Sequence, residues 1–357
     1  MGIQIKNIFA EWKDFQLRNV YLSINDNEYF VILGPSGSGK TLLLECIAGF
    51  HALKRGQILI NENDVTKLPP EKRNVGFVYE EYSLFPHMNV EENIGFSLQF
   101  KDLSKTEKRE QIKKFLRLLE IEHLQGRNVR TLSSGERQRV SMARALIMNP
   151  DVLLLDEPLS ALDAPRRREF TKVLKHLHDE LTTTTIHVTH DQRIAASLAN
   201  RIGVIRDGQI LEVGPIEEIF SRPRNLFTAN FLGFENTFKG KATLQQGLAS
   251  VKVQNIEILS TTAASGEVYI SIRPEDIIVS KEKFRSSAKN TFSGTIQTTI
   301  DQGSTVKLEV QVGEALTFSV LITKRSLTDL SLQKGKKVYL SFKATTVRLF
   351  QGNKENL

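Results

Sequence analysis

The chain has 357 residues, of which 40% are hydrophobic and 25% charged, with a formal net charge of +7, which is typical of a soluble protein of two or three domains. No apolar run reaches the roughly 20 residues of a membrane-crossing helix, and the N-terminus lacks a signal-peptide core, so we expect a cytoplasmic protein. The single cysteine, Cys46, excludes an intramolecular disulfide and a cysteine-rich metal site.

Three short apolar runs predict buried strands. They are EYFVIL from Glu28, DVLLLDE from Asp151 and TTIHVTH from Thr184, and helical segments lie between them. One such helix is predicted by the S-x-x-E capping box of Ser104 and Glu107. Continuous apolar strands that alternate with helices are typical of a parallel sheet covered on both faces. The sequence therefore predicts an α/β domain over residues 1–234.

The pattern changes after about Phe234. Runs such as VKLEVQV from Val306 and KKVYLSF from Lys336 alternate apolar and polar residues, a period that predicts half-buried strands. We therefore predict a separate small all-β domain over residues 235–357. A linker is expected near residues 222–236, where Pro223 interrupts any helix.

Residues 34–41 read GPSGSGKT and match the pattern G-x-x-x-x-G-K-[ST] between a predicted strand and a predicted helix. Backbone N–H groups of such a loop surround phosphate oxygens, Lys40 reaches the β- and γ-phosphates, and Thr41 can ligate Mg²⁺. A chance Gly/Ser loop is a poor alternative because both motif and context match. The predicted nucleotide-binding residues here are Gly34, Pro35, Ser36, Gly37, Ser38, Gly39, Lys40 and Thr41.

Two further strand ends carry candidate catalytic groups. Asp156 and Glu157 follow the apolar run VLLL, at the edge of the sheet where α/β proteins bind ligands. Asp156 suits Mg²⁺ and Glu157 suits the attacking water, while a helix cap with an acidic first turn is the alternative. His190 ends the third apolar run and can donate to a γ-phosphate oxygen, although a lone histidine is more often structural.

The order GPSGSGKT, LSSGERQR, LLLDEPLSALD and VTH resembles that of the ATP-binding-cassette (ABC) ATPases, over roughly residues 1–234. The resemblance implies a P-loop NTPase cassette, with a mostly parallel sheet and a helical subdomain, that hydrolyses ATP with Mg²⁺. It also implies a head-to-tail homodimer, in which the signature turn of one subunit binds the γ-phosphate held by the other. The residues that this assigns to the signature turn are Ser133, Ser134, Gly135 and Glu136.

The same resemblance assigns roles to two isolated residues. Asp163 of the SALD segment would contact the dimer partner, and Trp12 would stack on adenine. A half-buried surface aromatic is the alternative for Trp12.

Three positions depart from the family pattern. Glu80 stands where the family usually has a glutamine that touches Mg²⁺, so it keeps an oxygen ligand, loses an N–H₂ donor and adds negative charge. Ser134 replaces a glycine and Glu136 a glutamine of the signature. Because Lys40 and Glu157 remain, we expect hydrolysis to be altered but not abolished.

A transporter subunit is favoured over a soluble cassette ATPase acting on DNA or ribosomes, because the chain has one cassette and no sustained heptads. The resemblance implies separate multi-spanning permease subunits that dock on residues 82–90, YSLFPHMNV, with an extracytoplasmic binding protein acting through them. The chain would then lie at the cytoplasmic face of the cell membrane as a peripheral protein.

The segments SIRPEDI from Ser271 and FKATTVRLF from Phe342 resemble the OB-like TOBE accessory domain of importer ATPases. No basic–aromatic interleaving predicts nucleic-acid binding. The overall resemblance is nearest to archaeal-type molybdate and tungstate importer ATPases, which implies an oxyanion cargo, although sulfate, ferric iron and polyamine importers use related ATPases. A regulatory oxyanion could bind in the C-terminal domain at Thr323, Lys324, Arg325 and Ser326, for which an exposed polar turn is the alternative.

Overall fold

A computed structural model of the chain describes residues 2–245 and 247–352. These residues form two compact units, of which the first ends at Ile219 and the second begins at Phe220. The division lies earlier in the chain than the boundary after Phe234 that the sequence pattern indicates.

The first unit contains two sheets and most of the helices. Its strands are β1 Ile3–Trp12, β2 Phe15–Ile24, β3 Tyr29–Leu33, β4 Arg55–Ile60, β5 Asn63–Asp64, β6 Val75–Val78, β7 Val152–Asp156, β8 Thr184–Thr189, β9 Arg201–Arg206 and β10 Gln209–Pro215. Its helices are α1 Lys40–Ala48, α2 Val90–Gly95, α3 Lys105–Leu118, α4 Ser134–Leu146, α5 Ala164–Leu181 and α6 Gln192–Leu198, and α7 Ile216–Ser221 spans the division.

The larger sheet has the strand order β10-β9-β3-β8-β7-β6, and all of its neighbouring pairs except β9–β10 are parallel. Every residue of β3, β7 and β8 is buried. This confirms the predicted parallel sheet, whose central strands are apolar on both faces because both faces are covered. The smaller sheet, β2-β1-β4-β5, is antiparallel.

Helix α1 follows the phosphate loop, and its C-terminal end is held by Arg73. This buried guanidinium donates hydrogen bonds to the carbonyl oxygens of Cys46 and Ile47, both at 2.9 Å. The last carbonyls of a helix have few partners within the helix, and the positive charge also suits the helix dipole there. Arg73 therefore helps to fix the helix that carries Lys40 and Thr41 at its other end.

The predicted capping box of α3 is confirmed. The Ser104 side chain accepts a hydrogen bond from the Glu107 backbone N–H, and the Glu107 carboxylate accepts one from the Ser104 N–H.

The second unit is built from antiparallel strands. They are β11 Asn236–Gln245, β12 Leu248–Val253, β13 Ile256–Ser260, β14 Gly266–Ile272, β15 Ile278–Ser280, β16 Asn290–Asp301, β17 Thr305–Val312, β18 Leu316–Thr323, β19 Lys337–Phe342 and β20 Arg348–Gln351. They form two five-stranded sheets, β13-β12-β11-β14-β20 and β15-β19-β16-β17-β18. Burial alternates along β17, as the period of two predicts. The predicted β-rich domain is confirmed, and it also carries helices α8 Leu226–Phe231 and α9 Lys324–Asp329.

The segment predicted to be a linker, residues 222–236, contains helix α8. The Asn225 side chain caps the helix by accepting from the backbone N–H groups of Phe227 and Thr228. Leu226 and Ala229 are buried in a cluster with Phe350. Packing against the second unit therefore orders residues whose local composition indicates a connection.

Candidate nucleotide-binding site

The phosphate loop connects β3 to α1 and depends on glycine at Gly39. This residue has φ of 98°, and a Cβ atom there would lie 2.6 Å from Cε1 of Phe15. The Ser38 hydroxyl is buried and has no hydrogen-bond partner within the described part of the chain. Because buried polar groups are nearly always paired, this hydroxyl fits a site that receives a phosphate oxygen.

Lys40 is the cation of this loop. Its Nζ donates to the carbonyl oxygens of Gly34 at 2.8 Å and Pro35 at 2.9 Å, and it lies 3.9 Å from Oε1 of Glu157. Burial lowers the pKa of Lys40, while the charges of Glu157, Asp156 and Glu80 act in the opposite direction. Lys40 therefore binds carbonyl oxygens of its own loop and lies near several carboxylates.

Asp156 and Glu157 lie where β7 ends, next to the loop. Thr41 donates its hydroxyl to Oδ1 of Asp156 at 3.1 Å, which brings together the two oxygen groups predicted for Mg²⁺. Burial raises the pKa of Asp156 to about 6, and the charges of Glu157, Glu80 and Glu45 add to this effect. A divalent cation would relieve both the burial cost and the repulsion, so the residues present fit such an ion.

Glu157 contacts the end of the neighbouring strand β8. Its Oε1 lies 2.9 Å from Nδ1 of His190, and its Oε2 accepts from the Thr189 hydroxyl at 3.1 Å. Its backbone adopts the left-handed conformation, with φ of 44°. Sequence reasoning missed Thr189, and the only signal for it is a hydroxyl at the last position of an apolar strand.

The signature turn forms the start of α4, which begins at Ser134. The Ser133 hydroxyl accepts from the Glu136 N–H at 3.4 Å, and the Glu136 carboxylate accepts from the Ser133 N–H at 2.7 Å. These hydrogen bonds lower the pKa of Glu136. The helix thus begins earlier than the predicted start near Gly135, and part of the donor set expected for phosphate is already used in a capping box. Among the described residues, no hydrogen bond or ion pair joins residues 133–136 to residues 34–41.

Two other predicted site residues are accessible. Asp163 caps α5 by accepting from the Arg166 N–H at 3.0 Å, and its side chain is 57% exposed. Trp12 ends β1 with half of its surface exposed, and its ring centroid lies 4.3 Å from that of His51.

Glu80 lies two residues beyond β6, and β6 is the neighbour of β7 in the sheet. The following residues Tyr82 and Ser83 both have positive φ, and Arg144 donates to the carbonyl oxygens of both. Leu84 and Phe85 are partly buried, and Leu84 packs against the apolar core of the first unit. Arg144 therefore holds the strained backbone of Tyr82 and Ser83, and the residues that follow keep part of their apolar surface accessible. Within residues 2–245 and 247–352, no helix combines the length and the apolar character needed to cross a membrane.

In the second unit, the four residues predicted for an oxyanion surround the start of α9. Thr323 caps this helix by accepting from the Ser326 N–H. Lys324 pairs with Asp301 at 2.8 Å, and Arg325 pairs with Asp329 at 3.4 Å. Both cations are therefore already matched by carboxylates.

A different cavity of the same unit has a volume of about 380 Å³. Its lining includes two guanidinium groups and three hydroxyls, those of Arg222, Arg348, Thr261, Thr262 and Thr345. Burial lowers the pKa of Arg348, and the positive charges of Arg222 and Arg273 lower it further, while the negative charge of Asp276 acts in the opposite direction. Two neighbouring cations with hydroxyl donors are suited to a small anion.

Comparisons with known proteins agree with this architecture. The model of the ABC transporter family matches residues 17–160, and that of the TOBE domain matches residues 286–349. The molybdate/tungstate import ATP-binding protein of Pyrococcus abyssi is 40% identical over 98% of this chain and 100% of its own length. The spermidine/putrescine import ATP-binding protein of Thermotoga maritima is also 40% identical, over 89% of each chain.

Among solved structures, a dimeric ATP-binding cassette in a post-hydrolysis state with ADP and Pi has a TM-score of 0.55 and 30% identity. The match covers 60% of this chain and 98% of that one. The fold and the phosphate loop thus define a P-loop nucleoside triphosphatase. The chain belongs to the ABC transporter family, as the ATP-binding subunit of an importer whose ATP hydrolysis is coupled to transport.

The raised pKa of Asp156 predicts a stability change. The native Asp156 carboxyl binds its proton more tightly than the same group in the unfolded chain. The free energy of unfolding therefore falls as the pH rises from about 4 to about 6. We therefore expect Asp156→Asn, without nucleotide or Mg²⁺, to raise the free energy of unfolding at pH 7.5 by about 2 to 3 kcal/mol. Urea unfolding at pH 7.5 and pH 4 measures this, and the gain should vanish at pH 4. The exposed Asp179→Asn is the control, and a less stable Asp156→Asn at pH 7.5 would contradict the expectation.

Proposed function

We propose that this chain hydrolyses ATP with Glu157 as the group that accepts the proton of the attacking water. The observation that carries the proposal is the convergence of Lys40, Asp156 and Glu157 at one sheet edge. On binding ATP, the Lys40 ammonium would exchange the carbonyls of Gly34 and Pro35 for phosphate oxygens. Water then attacks the γ-phosphorus, its proton passes to Glu157, and the bond to the leaving ADP oxygen breaks to release phosphate.

His190 can orient Glu157 through Nδ1, and it can donate from Nε2 to a γ-phosphate oxygen. Which nitrogens carry a proton decides whether it does both. Its Nδ1 contacts Glu157, so a neutral ring that donates from Nδ1 leaves an unprotonated Nε2. Donation from Nε2 to a γ-phosphate oxygen therefore requires the imidazolium form or loss of the Glu157 contact. In either case, His190 orients the carboxylate before ATP arrives.

Mg²⁺ would be held by Thr41 and Asp156, together with phosphate oxygens and water, and Glu80 would lie close to it. When bound, the ion neutralises charge on the phosphates. Glu80 adds a carboxylate where the family pattern has an amide, which increases the negative charge that the cation balances.

Two subunits would enclose ATP between the phosphate loop of one and the signature turn of the other. The solved cassette of the same fold is a dimer in a post-hydrolysis state, which supports this arrangement. Ser133 still has its O–H to donate, because its oxygen accepts from the Glu136 N–H. The backbone N–H groups at the start of α4 would add further donors and positive dipole. Asp163 would contact the partner subunit.

The chain would act at the cytoplasmic face of the membrane, on multi-spanning permease subunits that receive substrate from an extracytoplasmic binding protein. The accessible segment 82–90, held by Arg144, is the proposed docking surface. The proposed cargo is molybdate or tungstate. The relative from Pyrococcus abyssi supports it because the match spans nearly the whole of both chains. The polyamine importer subunit of Thermotoga maritima, which has the same identity over a smaller share of this chain, makes polyamine the main alternative.

The hydrolysis proposal predicts a trapped dimer. Glu157→Gln keeps hydrogen-bonding atoms near Thr189 but cannot take up the proton, so we expect the ATPase rate to fall about 100-fold or more while ATP still binds. The variant should then elute as a dimer with Mg²⁺ and ATP and as a monomer with ADP. Lys40→Ala is the matched control, which should neither bind ATP tightly nor dimerise. A Glu157→Gln protein that stays monomeric with saturating ATP would refute the sandwich arrangement.

The cargo proposal predicts selective uptake. Cells that lack this chain but keep its permease should recover saturable uptake of radiolabelled tungstate or molybdate when the chain is returned, and should not recover it with Glu157→Gln. Labelled ferric iron, sulfate and spermidine are measured in parallel. Recovery of spermidine uptake without tungstate uptake would move the cargo to polyamine and leave the ATPase assignment intact.

The second unit would bind a tetrahedral oxyanion, as the sequence predicts, but in the cavity between Arg222 and Arg348. Two arginines and three threonines line that cavity, whereas Lys324 and Arg325 are already paired with carboxylates, and this favours the cavity. Tungstate, molybdate, sulfate and phosphate share the required chemistry of a small dianion.

This location predicts which substitution weakens oxyanion binding. Calorimetric titration of the full chain with each oxyanion, in a Lys40→Ala background that removes phosphate-loop binding, should show saturable binding. Arg348→Gln should weaken it about 10-fold or more, because a charge-assisted hydrogen bond is lost. Lys324→Gln should leave it unchanged. Weaker binding in Lys324→Gln but not in Arg348→Gln would place the anion at the start of α9. If no anion binds, the second unit does not bind a regulatory oxyanion.

A further inference from the structure

Trp12 is the single tryptophan of the chain, and one side of it is already covered. The indole lies at the end of β1, and its ring centroid is 4.3 Å from that of His51 with 50° between the planes. Half of the indole surface remains exposed. This leaves room for a second ring to stack on Trp12 while His51 stays in place.

His51 is itself held in position. Its Nε2 lies 2.9 Å from Oε2 of Glu45, and both side chains are largely buried, at 14% and 24% exposure. Glu45 belongs to α1, the helix that begins at Lys40. Trp12 therefore contacts His51, and His51 contacts Glu45 on α1, the helix that carries the phosphate-binding residues.

We infer that His51 and Glu45 are positioning residues for the base of the nucleotide. Glu45 orients the His51 ring, and His51 holds the Trp12 indole where it stacks on adenine. The inference rests on the proposal that Trp12 stacks on adenine, as the family resemblance implies. An aromatic side chain that is fixed in advance loses less conformational freedom on binding, so the affinity for the base rises.

The pair also fixes the distance between the two halves of the site. The phosphate loop and α1 set where the β- and γ-phosphates lie, and Trp12 sets where the base lies. Because His51 follows the end of α1 and contacts Trp12 on β1, it connects these two elements directly. Loss of His51 should therefore weaken recognition of the base and leave recognition of the phosphates unchanged.

The test compares ATP with inorganic tripolyphosphate as ligands of the full chain, by calorimetry. His51→Ala should weaken ATP binding about 3- to 10-fold, the range expected for one aromatic pair, and should leave tripolyphosphate binding unchanged. Glu45→Gln should act in the same direction with a smaller effect. His176→Ala, an exposed histidine of α5, is the matched control and should change neither affinity.

A double variant and a spectroscopic signal separate positioning from general damage. In a Trp12→Ala background, His51→Ala should cause no further loss of ATP affinity, because its effect acts through the indole. Since Trp12 is the only tryptophan, its fluorescence reports the site alone, and acrylamide should quench it more strongly in His51→Ala.

The outcomes distinguish the positioning role of His51 from the stacking role of Trp12 on which it rests. If Trp12→Ala leaves ATP affinity unchanged, the stacking role is refuted and the positioning role falls with it. If Trp12→Ala weakens ATP binding but His51→Ala does not, or if His51→Ala weakens tripolyphosphate equally, only the inference is overturned. A base-specific loss that disappears in the Trp12→Ala background supports it.

Discussion

The parallel pairing of β3, β7 and β8 is the constraint on which the candidate site depends. Leu33 of β3 lies opposite Thr189 of β8, and Asp156 of β7 lies opposite Val188. The register therefore brings the ends of three strands that are distant in sequence to one edge of the sheet. The phosphate loop, Glu157 and His190 each follow one of these ends. A shift of one residue in β7 would turn its side chains to the other face and separate Asp156 from Thr41.

Electrostatics at this edge connect stability to ligand binding. The free protein holds the buried Asp156 close to Glu157 and Glu80, with Lys40 as the nearby cation. This arrangement is unfavourable without a divalent cation and becomes favourable with one, so the cost of the acidic group is offset when the ligand binds. Such destabilised groups are typical of functional sites, where stability and activity make opposite demands. The carboxylate of Glu80, in place of an amide, adds to the same negative charge.

The two units use different solutions to bury apolar surface. The first covers a parallel sheet with helices, so its chemistry lies at strand ends, where loops are free to carry function. The second closes two antiparallel sheets on one core, and its charged groups lie on its surface and in shallow cavities. This difference explains why the nucleotide site follows from a few local motifs, whereas the residues that line the cavity of the second unit are distributed over 222–349.

The sequence by itself determined the phosphate loop, the central strands, the capping box of α3 and the β-rich second domain. Each of these depends on residues that are close together in the chain, where spacing and residue type directly state the local chemistry. Tertiary structure decided the ordering of α8 against Phe350 and the contacts of Glu157 with Thr189 and His190. It also decided the contact between Trp12 and His51, and the pairing of Lys324 with Asp301. These contacts join residues from different elements, and no local pattern records them, because only the packed chain brings their side chains within reach of one another.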